Sequence, residues 1–293
     1  MFELSGAQTR APVAASRPKP SDHGSWVGKS KVEALTSTAP ITSYFATIGF
    51  RTFFKESIMR TLTIPCTGYS VTADIYEGSD NGAVALWLIG RTSRRSKEHY
   101  RTLLPELSEK QGLTSVIFDY SGHGDSPFDI EHISPAQHFL EVITVFDWIR
   151  THYPGKKLAV IGSSYGGFLA TQLTKYREFD ALVLRAPAIY KPSDFYTAKK
   201  DEDRQATQDF RRNVKLLSNH PLLARASRFT GKSLLIVHEN DEQIPPQTTD
   251  AYANAFKPEV IVAKGISHSL DSATTQQVGS YNQALYDWLK SAF

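Results

Sequence analysis

With 293 residues and a formal net charge of +3, the chain carries 41% hydrophobic and 22% charged residues, the balance of a soluble globular protein with a substantial core. The small charge and scattered Lys and Arg exclude an electrostatic case for nucleic acid, and no apolar run approaches the roughly 18 residues a membrane span needs. The single cysteine, Cys66, cannot form an internal disulfide, so a reducing compartment is compatible and a cytoplasmic location is the expectation.

Residues 1–58 are rich in Ala, Ser, Thr and Pro, and Arg17-Pro18-Lys19-Pro20-Ser21-Asp22-His23-Gly24-Ser25 is a breaker cluster. Composition favours a disordered extension. A targeting peptide is a second reading, although no continuous apolar region lies near Met1. The third is an over-long reading frame with its true start at Met59. None of the three gives the segment chemistry.

From Arg60 the pattern changes. Arg60 to Pro65 and Tyr69 to Tyr76 alternate around Cys66-Thr67-Gly68 and read as a hairpin. Ala83 to Ile89 is a buried strand, followed by a helix near His99 to Lys110. Thr114 to Phe118 is the next strand, and a helix from about Pro135 to Thr151 follows with Ser134 as its N-cap. Leu158 to Ile161, Ala181 to Leu184, Ser233 to Val237 and Val260 to Ala263 are further strands. A helix carrying Tyr252, Ala255 and Phe256 lies between the last two, and one carrying Tyr281, Leu285, Trp288 and Leu289 closes the chain. Apolar strands alternating with helices predict an α/β fold, a mostly parallel central sheet with helices on both faces. Its sites belong outside the carboxyl ends of the strands.

Between Pro187 and Thr230 the rhythm breaks. The stretch holds Asp201-Glu202-Asp203-Arg204 and an amphipathic run through Phe210, Val214, Leu216 and Leu217. It reads as a small helical cap, about 188–230, with an elongated crossover helix as the alternative. Tyr190, Phe195, Tyr196 and Phe210 either wall an acyl or aryl pocket or pack the cap.

The chemistry is signalled by Gly162-Ser163-Ser164-Tyr165-Gly166, between a strand and a run suited to a helix. This is the context of a G-x-S-x-G nucleophile elbow, which would present Ser164; a plain Ser/Gly turn is the alternative. A serine needs a base, and in this topology an acid and then a histidine follow the nucleophile. Only His220, His238 and His268 follow Ser164. His238 lies in a strand and His220 precedes Pro221 in the cap, whereas His268 falls in the loop after the strand at Ala263. Glu239, Asp241 and Glu242 are the acid candidates after the preceding strand. Asp241 fits the turn best, with Ile244-Pro245 anchoring the loop, and the two glutamates read as solvated charge.

Two backbone N–H groups should hold an oxyanion. Tyr165, after the nucleophile, is one; Arg91, after Gly90, is the other, with Thr92 as the alternative. The Arg91 side chain is expected to face the surface, with attraction of an anionic substrate as the alternative, and Arg91-Thr92-Ser93-Arg94-Arg95 reads as a solvated helix approach rather than a phosphate site. His123, in Asp119-Tyr120-Ser121-Gly122-His123-Gly124-Asp125-Ser126, precedes Ser164 and is assigned structure.

Jointly these motifs resemble the α/β-hydrolase superfamily, and most the small bacterial esterases and lipases of the monoglyceride-lipase and cinnamoyl-esterase kind, over roughly Arg60 to Phe293. Ile89-Gly90 stands where such esterases usually carry His-Gly, Ser163 where they often carry His, and Glu239 where a Gly commonly follows the strand-end His. The resemblance implies a serine hydrolase acting on a small-molecule carboxylic ester, with no metal or organic cofactor. Amide or thioester cleavage by the same residues, and a non-catalytic binding protein of this fold, are the alternatives.

Overall fold

Period-two alternation makes the first two described strands. β1 (Met59–Cys66) and β2 (Tyr69–Tyr76) pair antiparallel across a two-residue turn in which Gly68 takes φ +82°. The computed structural model describes residues 59–79, 82–91 and 96–293. The segment 1–58, with its expected extension or late start, and Thr92, the alternative oxyanion donor, lie outside the described residues.

Six further strands complete one sheet: β3 (Ala83–Leu88), β4 (Thr114–Phe118), β5 (Lys157–Ser163), β6 (Ala181–Arg185), β7 (Lys232–Asn240) and β8 (Glu259–Ser267). Their order is β1-β2-β4-β3-β5-β6-β7-β8, and from β4 to β8 every pairing is parallel. Every residue of β3, β4 and β6 is buried, as expected for strands covered on both faces. α1 (Leu103–Gln111) packs with α8 (Thr275–Ala292), while α2 (Pro135–His152) packs with α3 (Tyr165–Leu173). Ser134 caps α2 by accepting a hydrogen bond from the Gln137 N–H, with Pro135 in the first turn where its missing N–H costs nothing.

After β3 the chain moves outward to β4, then returns to β5 on the other side of β3. The carboxyl ends of β3 and β5 are therefore the switch point at which open α/β sheets build their crevice. The Gly90 turn follows one of these strands and Ser164 the other.

The insertion between β6 and β7 is helical, with α4 (Arg204–Arg212), α5 (Val214–Ser218) and α6 (Pro221–Ala226). The expected single amphipathic run is two helices. Asn213 leaves helical geometry at φ −88° and ψ 95°, and its side chain accepts from the Leu216 N–H to start α5. Phe210 and Leu217 are buried, whereas Val214 and Leu216 are exposed. Strand β8 is longer than expected: a register shift opposite His238 and Asn240 absorbs Lys264-Gly265 and carries the strand to Ser267. α7 (Pro246–Phe256) links β7 to β8.

Candidate active site

Ser164 sits between β5 and α3 at φ 52° and ψ −112°, a backbone geometry that costs a non-glycine residue about 1–3 kcal/mol. Its surroundings hold it there. The Ser164 N–H donates to Arg185 O at 2.8 Å, and its carbonyl accepts from Ala188 N at 2.9 Å and Gly167 N at 3.0 Å. The flanking glycines are sterically required: a Cβ on Gly162 would lie 2.4 Å from Gly166 O, and one on Gly166 would lie 2.1 Å from Leu88 O. The hydroxyl is thereby lifted from the sheet edge and remains half-buried.

His268 follows β8 directly, and Asp241 follows β7 directly, so parallel pairing of these strands brings the two loops together. Ser164 Oγ lies 2.9 Å from His268 Nε2, and His268 Nδ1 lies 2.8 Å from Asp241 Oδ2 and 3.0 Å from Oδ1. The carboxylate can only accept, so the neutral ring carries its proton on Nδ1 and offers Nε2 to the serine hydroxyl. The side chains of His268 and Asp241 are 12% and 5% exposed. Burial alone would raise the Asp241 pKa. The His268 hydrogen bond and charge and the N–H groups of Ile244 and Gln243 outweigh it, and the pKa falls below the usual aspartate value. Those N–H groups both donate to Oδ1 at 2.8 Å, and Ile244 is buried beneath the loop.

The two glutamates are exposed, as expected, and both brace the histidine loop. Glu242 Oε2 accepts from His268 N at 3.3 Å, while Glu239 accepts from Gly265 N and Lys264 Nζ. Tyr165 opens α3, where the first-turn N–H groups have no acceptor within the helix. Gly90 faces the same point, since a Cβ built on it would lie 3.8 Å from Ser164 Cβ.

The Arg91 side chain corrects an expectation: it does not face the surface. Its guanidinium lies 4.8 Å from the Tyr165 ring centroid and 5.2 Å from that of Tyr190, and it pairs with both carboxylate oxygens of Glu202. The Arg91 and Glu202 side chains are 6% and 8% exposed. Burial disfavours the charged guanidinium, but Tyr190, Glu202 and Tyr165 overcome this and raise its pKa above the usual value. No local signal marks this pair, because the partners are 111 residues apart.

His123, His138 and His220 make structural contacts. Tyr165 Oη donates to His138 Nδ1 at 2.9 Å, and His138 Nε2 donates to Ser121 O at 2.8 Å. His123 is fully buried among Tyr120 and His138, and burial lowers its pKa to about 4. His220 caps α6 and bonds Tyr190 O. Of the four cap aromatics, Tyr190 and Phe210 are buried in the core, Phe195 packs partly against it, and Tyr196 is 78% exposed. Among the described residues no three His, Cys, Asp or Glu side chains form a metal-binding group, and no helix is long and apolar enough to cross a membrane.

Residues 90–228 match the family described as the alpha/beta hydrolase fold. The mouse (Mus musculus) lysophosphatidylserine lipase ABHD12 is 32% identical over 114 residues, covering 37% of this chain and 28% of that protein. The match thus spans little more than a quarter of the curated relative. The esterase Pf2001 of Pyrococcus furiosus superposes with a TM-score of 0.59 at 21% identity, covering 80% of this chain and 93% of that one. Est1E of Butyrivibrio proteoclasticus, solved with ferulic acid bound, gives a TM-score of 0.59 at 14% identity, covering 79% and 98%. In sheet order, in the serine turn at the switch point and in the family model matched by residues 90–228, the chain has the α/β-hydrolase fold.

Proposed function

We propose that the chain is a serine hydrolase that cleaves a carboxylic ester through an acyl-enzyme. The observation that carries this reading is the unbroken line of hydrogen bonds from Ser164 Oγ through His268 to Asp241, at 2.9 Å and 2.8 Å. Ser164 attacks the ester carbonyl while His268 Nε2 takes its proton. Asp241 fixes the tautomer and stabilises the imidazolium without itself becoming protonated. The N–H groups of Tyr165 and Arg91 stabilise the oxyanion, each donor worth about 10²–10³ in rate. Collapse expels the alcohol, which receives the proton from His268, and water repeats the sequence to release the acid.

An ester is favoured over an amide or thioester by the curated relative, named for its lipase activity. In Ser164→Ala, hydrolysis of p-nitrophenyl butyrate should fall at least 10³-fold with an unchanged circular dichroism spectrum. The parent should also label with a fluorophosphonate probe at Ser164. Undiminished turnover by Ser164→Ala would overturn the assignment.

A further inference from the structure

Arg185 is buried at the end of β6, and among the described residues no carboxylate lies within ion-pairing distance of it. Its Nε donates to the Tyr281 hydroxyl, the Tyr100 hydroxyl lies near enough to favour its charge, and among the described residues its Nη1 has no hydrogen-bond partner. A buried guanidinium without a counter-ion is costly, and one or two tyrosine hydroxyls compensate it poorly. What it touches gives a reason for its presence.

Arg185 Nε donates to Tyr281 Oη at 2.8 Å, and the Tyr281 ring lies 4.9 Å beneath the guanidinium. Tyr281 Oη lies 3.1 Å from His238 Nε2, and His238 Nδ1 lies 2.8 Å from Ser267 O. The directions of these bonds are fixed. A carbonyl oxygen only accepts, so His238 carries its proton on Nδ1. Nε2 then accepts from the Tyr281 hydroxyl, whose oxygen accepts from Arg185. Burial and the Arg185 charge both keep His238 neutral, which preserves this one-way chain. Ser267 immediately precedes His268.

The other end of Arg185 reaches the nucleophile: its backbone carbonyl accepts the Ser164 N–H at 2.8 Å. The next residue, Ala186, is held at φ 42°, a conformation rare for a side chain, by its N–H to Ile236 O. One residue therefore contacts the backbone on the Ser164 side directly and that on the His268 side through two buried side chains.

We propose that Arg185, Tyr281 and His238 are positioning residues, a polar brace from the backbone that holds Ser164 to the carbonyl before His268 that sets the serine–imidazole distance. The proposal rests on the serine-hydrolase reading. Tyr281→Phe removes the middle hydroxyl and keeps the ring. It should lower kcat for p-nitrophenyl butyrate about tenfold and slow fluorophosphonate labelling equally, with KM within about twofold, since small misplacements of reacting groups act on the chemical step. His238→Gln can still donate to Ser267 O and accept from Tyr281, and should keep at least half the parent kcat. His238→Leu can do neither and should lose about tenfold. A purely structural role would lower Tm in Tyr281→Phe and His238→Leu while leaving kcat and labelling at 25 °C unchanged, and that result overturns the brace. Equal activity of His238→Gln and His238→Leu overturns it too, without relying on how Tyr281→Phe folds. Parent protein that does not label at Ser164 refutes the hydrolase reading instead, so the two failures are told apart.

Discussion

Arg91 holds both carboxylate oxygens of Glu202, one of them through Nη1 at 2.7 Å, and so joins the turn after β3 to the cap insertion. Both side chains are almost fully buried, so removing one strands the other's charge. Glu202→Ala should cost about 3–5 kcal/mol, a fall in Tm on the order of 10 °C. Arg91→Met combined with Glu202→Leu removes both charges and should recover most of the loss. Thermal denaturation of the three variants checks this. A Tm for Glu202→Ala within about 2 °C of the parent would mean that the pair contributes nothing.

Stability should fall as pH is lowered from about 6.5 towards 4. Burial lowers the pKa of His123 and His238 to about 4, and that of His138 to about 3, all from 6.5. In this window the unfolded chain binds protons that the folded chain refuses, so acid favours unfolding by up to about 1.4 kcal/mol per pH unit for each histidine. Asp119 opposes this. Burial raises its carboxyl from 3.8 to about 6, so it takes up its proton in the folded state first. Burial raises Glu141 as well, and it lowers His220 like the other rings, so four histidines against two carboxyls leave a net loss in acid. Urea unfolding at pH 7, 6, 5 and 4.5 measures the slope, which His138→Gln should flatten; a stability independent of pH in this range contradicts the burial of these rings.

Two glycines near the site should respond oppositely to alanine. At Gly166 a methyl would meet Leu88 O at 2.1 Å and Leu88 C at 2.5 Å, backbone atoms of a central strand that cannot yield. Gly166→Ala should lose more than about 3 kcal/mol, the upper range of overpacking, or fail to fold. At Gly90 the nearest atoms are Ser163 O and Ser164 Cβ, both at 3.8 Å. Gly90→Ala should stay within about 0.5 kcal/mol of the parent. Chemical denaturation decides, and equal stability of the two variants would mean that the elbow is more open than this geometry.

The strands were legible because each leaves a local mark, an apolar run, and the loops that bring Ser164, Asp241 and His268 within hydrogen-bonding distance are marked by a glycine pair and an acidic turn after a strand. What escaped reading depends on partners far apart in sequence. An arginine in a loop defaults to solvent, and Glu202 lies 111 residues from Arg91. Tyr281 lies 96 residues from Arg185, and nothing in a helix-period pattern distinguishes a tyrosine with a buried guanidinium on its hydroxyl. The end of β8 was hidden for another reason. Lys264-Gly265 has the composition of a loop, and only the shifted pairing with β7 keeps it in the sheet. Asn213 carried a readable cap signal, yet the apolar period running through Phe210, Val214 and Leu217 masked it.

Asp241→Asn tests the acid assignment through its hydrogen bonds. Oδ1 receives two backbone N–H groups, from Gln243 and Ile244, each at 2.8 Å. In the variant these donors still require an acceptor, so the amide oxygen must take that place. Its NH₂ group then faces His268 Nδ1, which has to accept rather than donate. The neutral imidazole carries its proton on Nε2 in consequence, and Nε2 can no longer accept from Ser164 Oγ. The fold should survive, because every backbone bond to the side chain is kept, while kcat falls by about 10³–10⁴. Glu242 offers the control: exposed, its only described bond to the histidine is to the backbone N–H, at 3.3 Å, so Glu242→Gln leaves the tautomer alone and should remain within about threefold of the parent. Steady-state hydrolysis of p-nitrophenyl butyrate by the two variants separates the candidates. A large loss in Glu242→Gln with little in Asp241→Asn would move the acid to Glu242.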